Sequence, residues 1–571
     1  MELYAPSSRV VAVEADLAAA TSATVRAGLL VELAWHLRQR NSARALRLAD
    51  EATVAIGLAP TQRSLRAWHL RLSLTRCEVA ALFCRLDEAQ HWLDRAREEL
   101  AADPDGPTDA WLAEAMLAKA RGEHERAFDA NLQAVDASAR GPDPARAVIT
   151  RAWVVYEQAF GAPGEGADDG LGAARRSHVV VDALLSAVDA IVVLRRDPAR
   201  AVERFLHASE QAQRVGLVRD AVVATINAGT TLRGLGEQEQ AAACFDVSES
   251  VARQTGWPSL LGTSRTQLGA FLSAIGRLDE AHQLLLEAHA ALAPTPPGIN
   301  RANACNELAL VLLRLNRAVE ALEPSTEAIH MLRSRAVADN LALSLADHAM
   351  ILSAANRVPE ALAAVAEAQS LIDEHGLDAL AVSVHQALAE IHRRHPLPAP
   401  PGMTEPTAAL HHAECALREG RRFPGWKPTA GDLTALADDW AAAGDPARAF
   451  THARAAIAAM KEEMALLTRP SPTLVPLRSA GAAPPVDDLG LWHPAFPAPR
   501  SSADGRFTPK ELQVLHLLAR GYTNKEIAIS LEVSDQTVKW HLKQVFGKLE
   551  VGSRKQAVGR ARALGVVAFD A

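Results

Sequence analysis

The chain has 571 residues, 22% of them charged and only 4% aromatic, with a formal net charge of −8. That length is too great for a single hydrophobic core, and so low an aromatic share fits burial spread along a repeating array rather than concentrated in one place. An acidic chain repels polyanions as a whole, so any nucleic-acid surface has to be local.

From the start, MELYAPSSRVVAVEADLAAA lacks the basic head and apolar run of a secretory signal. No stretch offers the ~18 uncharged apolar residues that a membrane helix needs. A cytoplasmic protein without a membrane partner is expected. Cys77, Cys84, Cys244, Cys305 and Cys415 are scattered and form no CxxC pair, which predicts buried thiols.

The long first region contains an internal repeat. LGEQEQA, IGRLDEA, LNRAVEA and ANRVPEA place Gly236, Gly276, Asn316 and Asn356 forty residues apart, each a residue tolerant of left-handed backbone. Small residues recur at fixed offsets around each turn: Gly229, Ala241 and Ser248; Gly269, Ala281 and Ala288; Ala309, Ala321 and Ala328; Ala349, Ala361 and Ala368. Spacings of twelve and then seven put one small residue on a first helix and two on one face of a second, where close crossings need them. Fainter copies fall at Ala45 and Ala52, Ala89 and Ala96, Ala127 and Ala134, Ala201 and Ala208, and Ala449 and Ala456. The pattern resembles the tetratricopeptide repeat, with a period longer than the usual ~34. Some nine to eleven helical hairpins are expected over residues 1–468, with loops at Gly161 to Gly172 and Pro396 to Pro406.

Positions nine residues before each turn, Asn227, Gln267, Glu307 and Asp347, line up as a polar column with Asn303 and Asn306 nearby. This column is either a groove for a peptide, a protein partner or a small ligand, or a solvated face that any repeat exposes. His411, His412, Glu414 and Cys415 form a cluster with metal-capable atoms, but adjacent histidines point about 100° apart on a helix, so no metal site is assigned. No GxxxxGK[ST], GxSxG or HExxH occurs, which argues against an enzyme and predicts no cofactor.

Residues 469–505, rich in Pro, Ala and Gly with Trp492 and Phe496 interspersed, read as a linker. Residues 506–571 carry a net charge of +5 against −13 upstream, so the electrostatic footprint for nucleic acid lies here. Thr508, Pro509 and Glu511 form a capping box opening one helix, ended by Gly521. Thr523 and Glu526 repeat the device and open a short helix that buries Ile527, Ala528 and Leu531. Ser534 caps a third helix, in which Val538, Leu542, Val545 and Leu549 make an apolar stripe. Gln536, Lys539, Trp540, Lys543 and Gly547 project the other way. His541 lies about 60° from the stripe, at its buried edge. Two short helices so closely spaced make a helix-turn-helix.

Asn524-Lys525-Glu526-Ile527-Ala528, Thr537-Val538-Lys539 with His541, Lys548-Leu549, and Ser553-Arg554 with Gln556-Ala557 resemble the LuxR-type helix-turn-helix domain. The resemblance implies that Lys539, Trp540 and Lys543 face bases, that Asn524, Thr537 and Arg554 hold phosphates, and that a fourth helix contributes to dimerisation. The whole is similar to MalT-like regulators without their ATPase domain. It implies an all-α protein: a helical-repeat input region, a linker, and a reader of double-stranded DNA acting as a homodimer. The repeat region would receive a signal from a protein or small ligand, and an activator would also meet RNA polymerase. The alternative is a helical-repeat scaffold with an accessory DNA module.

Overall fold

A computed structural model describes residues 1–58, 64–161, 171–194, 196–235, 237–334, 337–400, 402–423, 426–468, 509–519, 522–531, 535–549, 551, 554 and 557. The chain divides into two compact units, 1–493 and 494–571. Regular structure is helical throughout the described residues. The expected linker, 469–505, lies outside them, as do Thr508, Gly521, Ser534 and Gly236.

The first unit is an array of antiparallel helix pairs, as the repeat predicts. Ten are seen among the described residues, beginning with Ala23–Leu37 and Ser42–Leu58, then Ser64–Leu82 and Leu86–Arg97, then Gly106–Arg121 and His124–Ser138. Val179–Val193 and Pro198–Arg214, Val218–Gly234 and Gln238–Thr255, and Pro258–Ala274 and Leu278–Leu292 continue the series. Ile299–Arg314 with Ala318–Arg333, Ala338–Ala354 with Val358–His375, Ala381–Arg394 with Ala408–Gly420, and Ala430–Ala442 with Pro446–Thr468 complete it. The interval from Ala127 to Ala201 holds one long helix, Pro144–Gly161, and a short one, Gly172–Ser177, in place of a regular pair.

The offsets hold because each small residue sits where two helices touch. Ala241, Ala281, Ala288, Ala309, Ala321, Ala328, Ala349, Ala361 and Ala368 are all fully buried. A Cβ at Gly269 would lie 2.7 Å from Leu285 Cγ, and one at Gly229 would lie 2.9 Å from Phe245. The turns follow equally local rules. Gly276, Asn316 and Asn356 take φ of 85°, 59° and 61°. In each case the next amide closes back onto the helix, Arg277 to Leu272 O, Arg317 to Leu312 O and Arg357 to Leu352 O, at 2.8–2.9 Å, the Schellman arrangement. Cys84 holds the same place in an earlier turn with φ of 56°, where glycine would be easier.

The array also turns back on itself. Trp257 Nε1 donates to Ser42 Oγ at 3.2 Å, and Arg40 reaches the carbonyl of Arg214 at 3.2 Å. The helices Ser64–Leu82, Gly106–Arg121 and Pro144–Gly161 share a buried charge cluster: Asp109, 2% exposed, accepts from Arg71 and from Arg146, whose Nε is 2.9 Å away. Burial by itself would raise the Asp109 carboxyl, but the charges of Arg71 and Arg146 together outweigh it and hold the group below its ordinary range.

Candidate nucleic-acid interface and groove

The second unit is built from helices Pro509–Ala519, Asn524–Ser530 and Asp535–Leu549. The capping box at the second is present: Thr523 N donates to Glu526 Oε2 at 2.7 Å, and Glu526 N to Thr523 Oγ1 at 3.4 Å. The bonds that Thr523 N and Thr523 Oγ1 donate to the carboxylate hold Glu526 below its usual range. Val514, Leu515 and Leu518 from the first helix, Ile527 and Ala528 from the second and Val538, Leu542 and Val545 from the third form one core. Leu531 packs against it, and Ala557 seals it from the segment beyond. Tyr522 N closes onto Leu517 O at 3.2 Å, so the chain leaves the first helix and enters the second within a few residues.

With that stripe buried, Lys539 and Lys543 are exposed on the third helix and His541 is half-buried, in the positions expected from spacing. The side chains of Trp540, Thr537, Gln536, Gly547 and Leu549 lie outside the described residues. Asn524 and Arg554 are brought together: Arg554 Nη1 donates to Asn524 Oδ1 at 3.0 Å, and its other nitrogen reaches Tyr522 O. The arginine thereby ties the segment after the third helix to the start of the second. Lys548 Nζ bonds Glu511 Oε2 at 2.7 Å, a pairing between the third and first helices that sequence spacing did not reveal. Of the segment expected to form a fourth helix, only residues 554 and 557 are described.

In the array, Asn306 and Asp347 are buried, while Asn227, Gln267, Asn303 and Glu307 are half-buried. Asn306 Nδ2 donates to Asp347 Oδ2 at 2.9 Å, and Asn340 Nδ2 to Asn303 Oδ1 at 3.4 Å. Burial, reinforced by the neighbouring Asp347 charge and opposed by Arg233, pushes Glu307 up to about 7. Burial also raises Asp347 to about 6, against the bond from Asn306. Two carboxyls from adjacent repeats are thus held where burial makes ionisation costly.

The histidines are arranged otherwise than the local spacing alone suggests. His412 stacks on His385 and His392 of the preceding helix, with ring centroids 5.4 and 5.3 Å away, while His411 turns to Glu405 at 2.7 Å. Burial and the surrounding histidine charges lower His412 to about 4. A separate group, His289, Cys305 and Glu327, brings three metal-capable atoms within 4.8 Å of one another, with Arg301 paired to Glu327 at 2.9 Å.

This geometry defines a helix-turn-helix unit behind a helical-repeat array. The model of "Bacterial regulatory proteins, luxR family" matches residues 506–561, so the second unit holds a luxR-family domain. The array before it is tetratricopeptide-like in its succession of helix pairs. The chain is 28% identical over 178 residues to the HTH-type transcriptional regulator AlkS of Ectopseudomonas oleovorans, covering 28% of this chain and 20% of that protein. It is 40% identical over 72 residues to the transcriptional regulatory protein ComA of Bacillus subtilis, covering 12% of this chain and 34% of that protein. The chain therefore spans between a fifth and about a third of the length of these curated relatives. Among solved structures, the Rap conjugation gene regulator of the plasmid pLS20 is similar at 10% identity and a TM-score of 0.41, over 65% of this chain and 98% of that one. No helix among the described residues is long and apolar enough to cross a membrane.

Proposed function

We propose that the protein is a sequence-specific DNA-binding transcriptional regulator acting in the cytoplasm. The carrying observation is the third helix, Asp535–Leu549: Val538, Leu542 and Val545 are sunk in the core while Lys539 and Lys543 stand exposed on the same helix. A rod anchored by one face and cationic on the other suits the major groove, where lysine reaches phosphates and the guanine O6 and N7 edge. Lys539, Trp540 and Lys543 face bases in this reading. Asn524, Thr537 and Arg554 serve the backbone, the first and last through the link that joins them at the amino end of the second helix. One such helix reads few base pairs, so a homodimer on two half-sites supplies the rest. The domain limits are 1–468 for the array, 469–505 for the linker and 506–571 for the reader.

The array is the input region, receiving a protein or small ligand, and activation through RNA polymerase is the proposed output. Selecting the full chain against a pool of random duplexes tests the DNA claim. Enrichment of a motif with two related half-sites supports it, and recovery of unselected sequence refutes it.

A further inference from the structure

Residues 1–6 precede the first helix, are not helical, and lie against the interior of the array. Leu3 and Ala5 are 5% and 2% exposed, and Leu3 belongs to the core that includes Trp35, Leu70, Leu74, Tyr156 and Val181. The polar contacts share one feature: side chains of the array donate to backbone carbonyls of the segment. Arg146 Nη2 bonds Met1 O at 2.8 Å, Trp35 Nε1 bonds Glu2 O at 2.8 Å, Arg38 Nη2 bonds Leu3 O at 3.0 Å and Arg40 Nη2 bonds Ala5 O at 2.7 Å. Arg40 also reaches Ser7 Oγ at 3.1 Å.

Two of the donors are fixed independently of the segment they hold. Arg38 is paired with Glu78 at 2.6 Å and its guanidinium lies 3.8 Å from the Trp35 ring centroid. Arg146 makes two bonds to Asp109, at 2.9 and 3.0 Å. A guanidinium has five N–H groups in a rigid fork, so each of these arginines satisfies its carboxylate and still presents a donor inward. Such donors remain in place when the segment leaves, which is the condition for a preorganised binding site. Carbonyls are common to every peptide, so the donors give affinity, while the buried places of Leu3 and Ala5 and the Tyr4 ring, 5.1 Å from the Arg38 guanidinium, give selectivity.

We propose that the first repeats form a peptide-binding site that reads backbone carbonyls through Arg146, Trp35, Arg38 and Arg40, and that Met1–Ala5 is its resident occupant. The exchangeable ligand is a non-helical peptide with the same order of apolar, aromatic and small residues. This site does not depend on what the luxR-family unit binds.

The probe is a fluorescein-labelled peptide of residues 1–8, followed by anisotropy. A tethered segment acts at an effective concentration in the millimolar range, so the intact chain is largely closed to it. The full-length variant Leu3→Asp with Tyr4→Asp, which makes the resident's buried groups charged, is expected to bind the peptide at least about a hundredfold more tightly than the intact chain. Adding Trp35→Phe and Arg40→Met, which remove two of the donors, is expected to cost tenfold or more. Equal binding by the intact and opened chains, no effect of the donor substitutions, or equal binding of a scrambled peptide would overturn the proposal. Should the double variant lose its helical circular dichroism, deletion of Glu2 to Pro6 is measured in its place. Loss of helix there too makes the segment part of the core and also overturns it.

Discussion

Replacing Glu307 by glutamine changes the pH dependence of stability in a direction that the structure fixes. Its carboxyl is raised from the ordinary 4.5 to about 7 by burial and by Asp347. The folded array therefore holds a proton that the unfolded chain releases, and stability is highest below the unfolded value. It declines as pH rises from about 4.5 to about 7 and is level above that. Each tenfold change in proton affinity is worth about 1.4 kcal/mol, so the penalty at pH 8 is at most about 3.5 kcal/mol, and relaxation with solvent entry brings it to roughly 1–2. Asp347, raised to about 6 by burial, adds a penalty of the same sign. Glutamine keeps the shape and removes one charge. Thermal unfolding of the wild type and of Glu307→Gln, compared at intervals from pH 4.5 to pH 8, isolates Glu307 together with its effect on Asp347, because titrations elsewhere cancel in the difference. The variant should match the wild type near pH 4.5 and gain steadily to a plateau above pH 7. A difference that is flat with pH, or that grows toward acid, would refute the reasoning.

Other outcomes follow from the same packing. Asp109→Asn leaves Arg71 and Arg146 buried beside a neutral amide and should cost about 3–5 kcal/mol, read as an earlier urea transition; an unchanged midpoint would remove the cluster from the account. Gly269→Val drives side-chain atoms into Leu285 and should cost about 1–3 kcal/mol. Gly276→Ala meets nothing within 4 Å, so only its left-handed backbone matters and the loss should be about 1 kcal/mol. Cys84→Gly should raise stability by a similar amount, since glycine holds φ of 56° without strain; a destabilised variant would show that the thiol contributes packing that outweighs it.

What was readable in the sequence was whatever a local rule repeats. Gly276, Asn316 and Asn356 were found because a left-handed residue must close each hairpin, and the alanines because each crossing needs a small side chain. The three-helix order of the second unit was readable because caps and an apolar stripe mark every element, and Thr523 with Glu526 formed the box expected. The missed features are pairings between elements distant in the chain. Nothing at Met1–Ala5 announces four donors, because carbonyls carry no side-chain identity. Asp109 meets Arg146 across 37 residues, and His412 is sandwiched by residues of the helix before its own. Cys84 was invisible as a turn because its residue type disfavours the conformation it adopts. The polar column was readable as a set of positions, but the burial of Asn306 and Asp347 within it depended on how neighbouring repeats stack.

The central claim is that the exposed lysine face of the third helix reads sequence. Its most direct test is the ratio of affinities of the full chain for a selected duplex and for an unrelated duplex at one salt concentration, before and after Lys539→Ala with Lys543→Ala. Both side chains are exposed, so the helix should survive the change. Each base contact is worth about 1–3 kcal/mol of discrimination, so the ratio should fall by about thirtyfold or more. A ratio left unchanged by the double substitution would contradict the account.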